Sequence, residues 1–180
     1  MEKTGIIRFV EESDLMALEW NGEYSRYRNM YREIYCQSLT GNTLLWVLEI
    51  DKIGIIGQIF AQINSGNKKF ADGKQRAYLF SFRVKNQFQN QGWGTQLLDN
   101  TEYYFTKRGF LYTTLNVSKD NQNALRFYLN RGYKIVGEEK GVWSYVDPEG
   151  NNQIVNDPSW RMEKMLFMQK MTLANEDKLC

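Results

Sequence analysis

The chain has 180 residues, of which 42% are hydrophobic, a length and composition typical of one globular domain with a sizeable core. Its 23 basic and 21 acidic residues nearly balance and are spread along the chain, so charge gives no reason to expect a nucleic-acid partner. Histidine is absent, which excludes a Ser-His or Cys-His nucleophile pair and removes the commonest zinc ligand, so we expect no bound metal.

The N-terminal third predicts one strand and two helices. Apolar residues from Ile6 to Val10 indicate the strand, and Ser13 is a suitable N-cap for a short helix over 14–20. Apolar side chains at helical spacing indicate a longer second helix: Tyr24, Tyr27, Tyr31, Tyr35 and Leu39. The ordinary interpretation of this stripe is aromatic packing in the core.

Two strands at 43–50 and 54–63 are predicted next, joined by a tight turn at Asp51 and Lys52. The polar stretch 64–74 contains two glycines and indicates a loop. A β-branched and aromatic segment that ends at Val84 predicts a further strand.

The segment after Val84 is a short polar loop with Gly92 and Gly94, followed by a helix that ends near Arg108. A strand, a glycine-bearing loop and a helix N-terminus together present several free backbone N–H groups to a phosphate. Glycine lets the main chain approach the anion closely. The sequence therefore predicts a site for a pyrophosphate.

Two common nucleotide motifs do not fit this loop. The dinucleotide fingerprint requires a third glycine where this chain has Leu97, and the P-loop requires Gly-Lys-Ser/Thr where Gly94 is followed by Thr95 and Gln96. What remains is the pattern Gln89-x-x-Gly92-x-Gly94.

A second patterned segment follows a strand at Leu115 to Val117. It reads NQNALRFYLNRGYKIVGE from Asn121 and predicts a helix with Gly132 at its left-handed C-cap. A long hairpin is expected to close the fold, with strands over 134–146 and 159–168 and a turn at 147–150.

These two segments resemble, in order and spacing, the two acetyl-CoA motifs of the GNAT N-acetyltransferase superfamily. The resemblance extends from about Gly5 to Met168. It implies a mixed α/β (α+β) fold with a mostly antiparallel central sheet of about seven strands, flanked by four helices, in which strands four and five splay apart. We expect residues 1–170 to form a single GNAT-like acetyltransferase domain and 171–180 to be a frayed tail.

The resemblance implies acetyl-CoA as the cofactor. The backbone between Gln89 and Thr95 would hold its pyrophosphate, and Phe82 and Val84 would offer backbone groups to the pantetheine arm. Asn121 would bond that arm or cap its helix. The implied cofactor-binding residues are Phe82, Val84, Gln89, Asn90, Gln91, Gly92, Trp93, Gly94, Thr95, Asn121, Ala124, Phe127 and Tyr128.

Tyr128 is the implied catalytic residue, because the family's tyrosine at this motif position gives a proton to the departing CoA thiolate. The alternative is a buried helix aromatic without a chemical role. Many relatives also carry a glutamate on the fourth strand, where this chain has Phe80 and Ser81, so the general base is left open. The nearest expected carboxylates are Glu19, Glu23 and Glu49, and a water chain or an already neutral amine is the default.

Aromatic residues are expected in the acceptor pocket, which the family builds from the first two helices and the last hairpin. The candidate substrate residues are Trp20, Tyr24, Asn116 and Trp143, with Tyr27, Tyr145 and Trp160 nearby. Such a pocket favours an acceptor of apolar or planar character over a strongly cationic one.

The sequence thus predicts a cytoplasmic N-acetyltransferase, since no apolar run approaches the length of a membrane span and no secretory segment is visible. It would move an acetyl group to a primary amine of a small molecule or peptide by direct transfer in a ternary complex, as a monomer or homodimer, without a membrane partner. The alternatives are a catalytically silent acyl-CoA-binding module and an acyltransferase that uses another acyl chain or acceptor.

Overall fold

The computed structural model describes residues 4–166, so the predicted tail 171–180 and the end of the last predicted strand lie outside the described residues. The strands are β1 (Gly5–Phe9), β2 (Thr43–Ile50), β3 (Gly54–Gln62), β4 (Arg76–Val84), β5 (Tyr112–Ser118), β6 (Lys134–Glu139), β7 (Val142–Val146), β8 (Asn152–Asn156) and β9 (Ser159–Met165). The α-helices are α1 (Arg28–Leu39), α2 (Trp93–Lys107) and α3 (Gln122–Asn130). Short 3-10 helices lie at Glu12–Asp14, Ala17–Glu19, Ser25–Tyr27 and Asn86–Phe88.

Seven strands form one sheet in the order β1-β2-β3-β4-β5-β9-β6. Every neighbouring pair is antiparallel except β4 and β5, which are parallel. Four helical regions flank the sheet: the 3-10 segments before residue 20, then α1, α2 and α3. The expected fold class is confirmed. No helix within residues 4–166 combines the length and apolar character needed to cross a membrane.

The predicted closing hairpin is wrong in its outer half. The segment forms four strands and not two. Of these, β6 and β9 pair with each other in the main sheet, whereas β7 and β8 pair with each other as a separate ribbon. Gly141 turns the chain away after β6 with a left-handed φ of 66°. Pro158 precedes β9 on the return and has no backbone N–H to continue a ladder. The ribbon is therefore free to lie over α1.

The predicted helix over 14–20 is also wrong, because two short 3-10 helices occupy this segment. Ser13 does not cap it. The Asp14 carboxylate accepts the Glu11 N–H at 2.8 Å and two hydrogen bonds from Arg8, which fixes a tight turn. Trp20 follows in the left-handed region at φ 48°, so the chain cannot continue as a helix.

The predicted second helix begins later than the aromatic stripe suggested. Tyr24 and Tyr27 belong to a 3-10 turn, and the α-helix starts at Arg28. Tyr31 is buried in the core, whereas Leu39 is 72% exposed. The stripe thus divides into a buried part and a part that lies at the rim of the site described below.

Two apolar layers cover the two faces of the sheet. On one face, α2 buries its apolar side against the central strands, and each fully buried Leu or Phe contributes about 1.5–3 kcal/mol. This layer includes Leu79, Leu97, Leu98, Phe105 and Leu115. The opposite layer, under α1, includes Leu18, Tyr31, Ile34, Val47 and Phe60.

The splay of β4 and β5 is the feature that positions the site. Their pairing ends at Leu79 and Leu115, after which β4 stays with β3 and β5 stays with β9. A bulge in β4 assists this separation, since Ser81 takes a left-handed φ of 49° where the β3 register shifts. The facing edges of the two strands separate there, as the family resemblance implied.

Candidate active site

A cleft of about 630 Å³ opens where β4 and β5 separate. It brings together most of the predicted site residues, although they come from distant parts of the chain. Its lining comprises Trp20, Tyr24, Phe82, Arg83, Val84, Asn86, Gln89, Asn90, Gly92, Gly94, Thr95, Asn121, Asn123, Ala124, Phe127 and Tyr128.

The loop between β4 and α2 is held in place by its own side chains. The Gln89 side-chain amide donates to the Val84 carbonyl at 2.8 Å and to Asn86 Oδ1 at 3.0 Å. Asn90 and Gly92 both take left-handed conformations, at φ 58° and 86°. Together these contacts turn the chain so that the first N–H groups of α2, which lack intrahelical acceptors, point out of the helix end.

The two glycines have different roles. A Cβ built on Gly92 would meet no atom within 4 Å, so the space over this backbone is open. A Cβ on Gly94 would lie 3.5 Å from Phe82 Cζ and 3.7 Å from Val84 Cγ2. Gly92 thus provides the backbone turn, whereas a side chain at Gly94 would fit against β4 in ordinary van der Waals contact but would occupy part of the cleft lining.

Two predicted cofactor residues do not line the cleft with their side chains. Gln91 is exposed, and its amide donates to the Gln87 carbonyl at 2.9 Å. The Trp93 indole is 8% exposed and packs on Gly5, in the core on the other side of α2. Only the backbone N–H groups of these two residues can take part in anion binding, which is the contact the glycine pattern predicted.

The α3 side of the cleft consists mainly of aromatic rings. The Phe82 ring lies 5.9 Å from that of Phe127 and 6.2 Å from that of Tyr128, between centroids. Asn121 Oδ1 caps α3 by accepting the Ala124 N–H at 3.0 Å, so the capping role is observed. Its side-chain amide nitrogen is not used in this cap. Gly132 ends the helix region with φ 87°, as predicted.

Tyr128 is 8% exposed and lies in the cleft wall. Burial, together with the charge of Tyr78, raises the pKa of its phenol well above the ordinary value near 10. Burial also raises the pKa of Tyr78 to about 12, with a further contribution from Glu139. The two phenols therefore interact electrostatically, and both carry their protons at neutral pH.

Tyr78 is a residue that the sequence analysis did not single out. It stands on β4 opposite Thr114, one residue before the end of the β4–β5 pairing. Its ring stacks on that of Phe80, with centroids 6.0 Å apart. Tyr78 does not itself line the cleft, and in the sequence it looked only like one member of an aromatic strand.

The chain that precedes α1 forms the other wall. Trp20 meets Tyr24 edge to face at 5.4 Å, and the indole Nε1 of Trp20 is buried without a hydrogen-bond partner in the described structure. Tyr24 stacks on Tyr27 at 6.4 Å. Glu19, just before Trp20, ties this segment to α1, because its carboxylate accepts two hydrogen bonds from Arg28 at 2.6 and 2.8 Å.

The β7–β8 ribbon completes the rim of the cleft. Tyr27 contacts Tyr145 at 4.8 Å and Trp143 at 6.1 Å, and Asn29 Nδ2 donates to the Asp147 carbonyl at 2.7 Å. Trp143 therefore joins the rim rather than the cleft lining. Trp160, expected in the same pocket, instead packs with the core under α2 and α3, on the opposite face of the sheet.

Comparison with known proteins decides the family. The family model described as "Acetyltransferase (GNAT) family" matches residues 11–133, about two thirds of the chain. The chain belongs to the GNAT acetyltransferase family. N-alpha-acetyltransferase 60 of Xenopus tropicalis is 29% identical over an alignment 143 positions long, and the match covers 64% of this chain and 58% of that protein.

Solved GNAT structures share the fold. The PaiA N-acetyltransferase from Thermoplasma acidophilum, in complex with coenzyme A, superposes with a TM-score of 0.64 at 22% identity, covering 90% of this chain and 99% of that one. Arabidopsis thaliana NAA60, in complex with a bisubstrate analogue, gives 0.67 at 16% identity, with coverage of 90% and 98%. At such identities the structures establish the fold alone.

The GNAT family uses acetyl-CoA, and the cleft fits such a ligand. It has open space over the Gly92 backbone at a helix N-terminus, where a diphosphate can be bound. It also has two strand edges that separate beyond Leu79 and Leu115, where an extended arm with amide groups can be bound. Asn116, a predicted substrate residue and the first β5 residue beyond the pairing, does not line the cleft; its buried Oδ1 has no hydrogen-bond donor among the described residues.

None of the carboxylates considered as a base lines the cleft. Hydrogen bonds from Arg28 lower the pKa of Glu19, which is 4% exposed beneath the wall, and Glu49 is paired with Arg8 at 2.9 Å. Glu23 is exposed and lies outside the cleft. The charged side chain in the lining is instead a cation, Arg83, which sequence reasoning missed.

Proposed function

We propose that this chain is an acetyl-CoA-dependent N-acetyltransferase that moves an acetyl group onto the primary amine of a peptide or small molecule. The observation that carries the proposal is the cleft at the β4–β5 splay. One end of this cleft has the glycine loop and the N-terminus of α2, and Tyr128 lies in its wall.

The chain's own groups would hold the donor as follows. Backbone N–H groups from Gln89 to Thr95 would bind the diphosphate, supported by the partial positive charge of the helix end. The β4 backbone from Phe82 to Val84 would pair with the pantetheine amides. The side-chain amide nitrogen of Asn121 is free to donate to the same arm while its oxygen caps α3.

Bound acetyl-CoA supplies the acetyl group as a thioester. Tyr128 would give its proton to the sulfur as the carbon–sulfur bond breaks. Its phenol is protonated at neutral pH, and because its raised pKa makes it a weaker acid than the departing thiol, the proton transfer has to be coupled to the bond breaking. Tyr78, with a pKa of about 12, is likewise a neutral hydrogen-bonding group at pH 7 and not an ionised base.

The absence of a carboxylate from the cleft lining bears on the acceptor. Without a strong base, an amine that is already partly neutral reacts more readily. A terminal α-amine has a pKa of about 8 and is roughly a tenth neutral at pH 7, whereas a lysine amine, at about 10.4, is almost fully protonated. Together with the name of the relative from Xenopus tropicalis, this favours the N-terminal amine of a peptide.

The test combines calorimetry with coenzyme A and a thiol-release assay with acetyl-CoA. The acceptor panel contains N-terminal peptides, N-terminally blocked lysine peptides, polyamines and aminoglycosides. We expect coenzyme A to bind, and thiol release to be fastest with free N-terminal peptides. Failure to bind coenzyme A would refute the proposal, and binding without thiol release for any amine would leave an acyl-CoA-binding module.

A further inference from the structure

Arg83 is unusual among the arginines of residues 4–166. The other half-buried arginines there are all paired with a carboxylate: Arg8 with Asp14, Arg28 with Glu19, Arg76 with Glu163, Arg131 with Asp99 and Arg161 with Glu139. Arg83 is half-buried and has no carboxylate within ion-pair distance in the described structure. A partly desolvated charge without a counter-charge is costly, which points to a partner that arrives from outside.

The position of Arg83 is fixed by two tyrosines. Its Nη1 donates to the Tyr31 hydroxyl at 2.5 Å, and the guanidinium lies 3.9 Å from the centroid of the Tyr24 ring. A guanidinium has five N–H donors, so one bond to Tyr31 leaves most of them available. These contacts orient the group without neutralising it.

Arg83 lies on the acceptor side of β4. Phe82 and Val84, its neighbours, approach α2 and α3, whereas Arg83 projects toward α1 and the wall that carries Trp20. Trp20 lines the same cleft, but its indole Nε1 is fully buried, so Arg83 and not Trp20 presents unused N–H donors to the open space. The remaining guanidinium donors of Arg83, in a lining that contains no carboxylate among the described residues, form a site for an anionic oxygen group.

We propose that Arg83 selects acceptors that carry a carboxylate next to the reacting amine, and specifically peptides with Asp or Glu as their second residue. The inference rests on the proposed function and specifies its substrate class. In an extended peptide the second side chain lies only one residue from the α-amine, a separation of about 3.8 Å between Cα atoms. The planar fork of an arginine suits such a carboxylate because it can form two parallel hydrogen bonds.

A phosphate of coenzyme A offers the same anionic oxygens, so the experiment separates the two sources. The acceptors are two peptides that differ only in Asp or Asn at the second position. For the wild type, Arg83→Gln and Arg83→Lys we measure kcat/KM for both peptides, and by calorimetry the Kd for coenzyme A and for each peptide on the coenzyme-A-bound protein.

We expect the wild type to prefer the Asp peptide by at least about tenfold, as for a charge-assisted hydrogen bond. Arg83→Gln should reduce that ratio to near one, mainly through the KM of the Asp peptide. Arg83→Lys should retain part of the preference, since it keeps the charge and loses the fork. The matched control is Arg26→Gln, which removes the same charge from an exposed arginine that also lies near the Tyr24 ring, at 5.9 Å, yet does not line the cleft.

Two results would overturn the inference: equal kcat/KM for both peptides in the wild type, or an Arg83→Gln variant with a weaker Kd for coenzyme A and an unchanged peptide ratio. The second would assign Arg83 to the cofactor. If coenzyme A binds but neither peptide is acetylated, thiol release across the full amine panel decides the proposed function, and the two peptide Kd values separately decide whether Arg83 recognises the carboxylate.

Discussion

The two walls of the cleft are built by different means. We call them, after the ligands proposed above, the cofactor wall and the acceptor wall. The cofactor wall, from β4 through the glycine loop to α3, depends on backbone conformation: a bulge at Ser81, left-handed residues at Asn90 and Gly92, and a helix N-terminus. The acceptor wall depends on side chains from segments far apart in sequence, such as Tyr27 against Tyr145 and Asn29 against the Asp147 carbonyl.

This difference separates what the family shares from what distinguishes its members. A backbone cradle accepts the same ligand with many side-chain sets, so two short motifs suffice to encode it. A wall of packed side chains changes with each substitution, and it therefore carries the choice of acceptor. Substitutions in the two walls should accordingly affect different kinetic constants.

The largest effect is expected for Tyr128→Phe. Removing the phenolic proton should lower kcat about a thousandfold, within the range for general acid catalysis, and change the Kd for coenzyme A by less than about twofold. Steady-state kinetics and calorimetry measure both values.

Tyr133→Phe is the matched control for Tyr128→Phe. Tyr133 is also buried and lies in ring contact with Tyr128 at 5.3 Å, but its hydroxyl bonds Glu102 at 3.0 Å and Thr113 at 2.9 Å and does not line the cleft. It should lower stability and leave kcat within a fewfold. Equal losses of kcat in the two variants would remove Tyr128 from the chemistry and reduce it to a packing residue.

Gly92→Glu tests the cofactor wall itself. The new side chain would place a negative charge at the helix N-terminus, in the open space over the backbone, and force a non-glycine residue to adopt φ 86°. The Kd for coenzyme A should rise about a hundredfold. Gly41→Glu is the control, because Gly41 has φ 79° and equally open surroundings far from the cleft. A similar loss of affinity in both variants would mean that backbone strain, and not the anion site, is responsible.

Most of the residues predicted to bind the cofactor line the cleft, and this has a physical reason. Gly92, Gly94, Asn121 and Tyr128 are constrained by local geometry, and local geometry leaves a pattern at fixed spacing. The splay itself was confirmed, but it was known only through the family resemblance, since the Ser81 bulge has no sequence signature.

For the acceptor wall, the sequence predicted that aromatic residues would be present but did not predict where each of them lies. Trp20 and Tyr24 do line the cleft, yet Trp143 reaches only its rim and Trp160 lies on the opposite face of the sheet. Periodicity places a residue on a strand but does not reveal that a hairpin divides in two at Gly141. Arg83 was missed because an arginine in a strand is common. Only the structure shows that no carboxylate among the described residues pairs with it.

A smaller effect, confined to the acceptor, is expected for Trp143→Ala. Loss of the indole removes the contacts with Tyr27 and Tyr145 at the rim and should raise the KM for a peptide acceptor about three- to tenfold. The Kd for coenzyme A should stay the same. Ile154→Ala, on the partner strand of the ribbon and 74% exposed, is the control and should change neither value. A weaker affinity for coenzyme A in Trp143→Ala would contradict the division of the cleft into two walls.

The smallest effect is expected for Asp14→Asn. Asp14 fixes the turn that leads to Trp20 in the acceptor wall. Hydrogen bonds from Arg8 lower the pKa of Asp14, so the ionised carboxylate is favoured in the folded state. This stabilisation is present above the unfolded pKa of about 3.9 and is lost as the pH falls through the lower folded value.

Asp14→Asn should therefore reduce the free energy of unfolding by about 1–2 kcal/mol at pH 7, and the difference from the wild type should shrink below about pH 4. Urea unfolding at a series of pH values measures this, with the exposed turn variant Asp51→Asn as the control. A deficit that is the same at pH 2.5 and pH 7 would show that Asp14 acts through the shape of its turn and not through its charge.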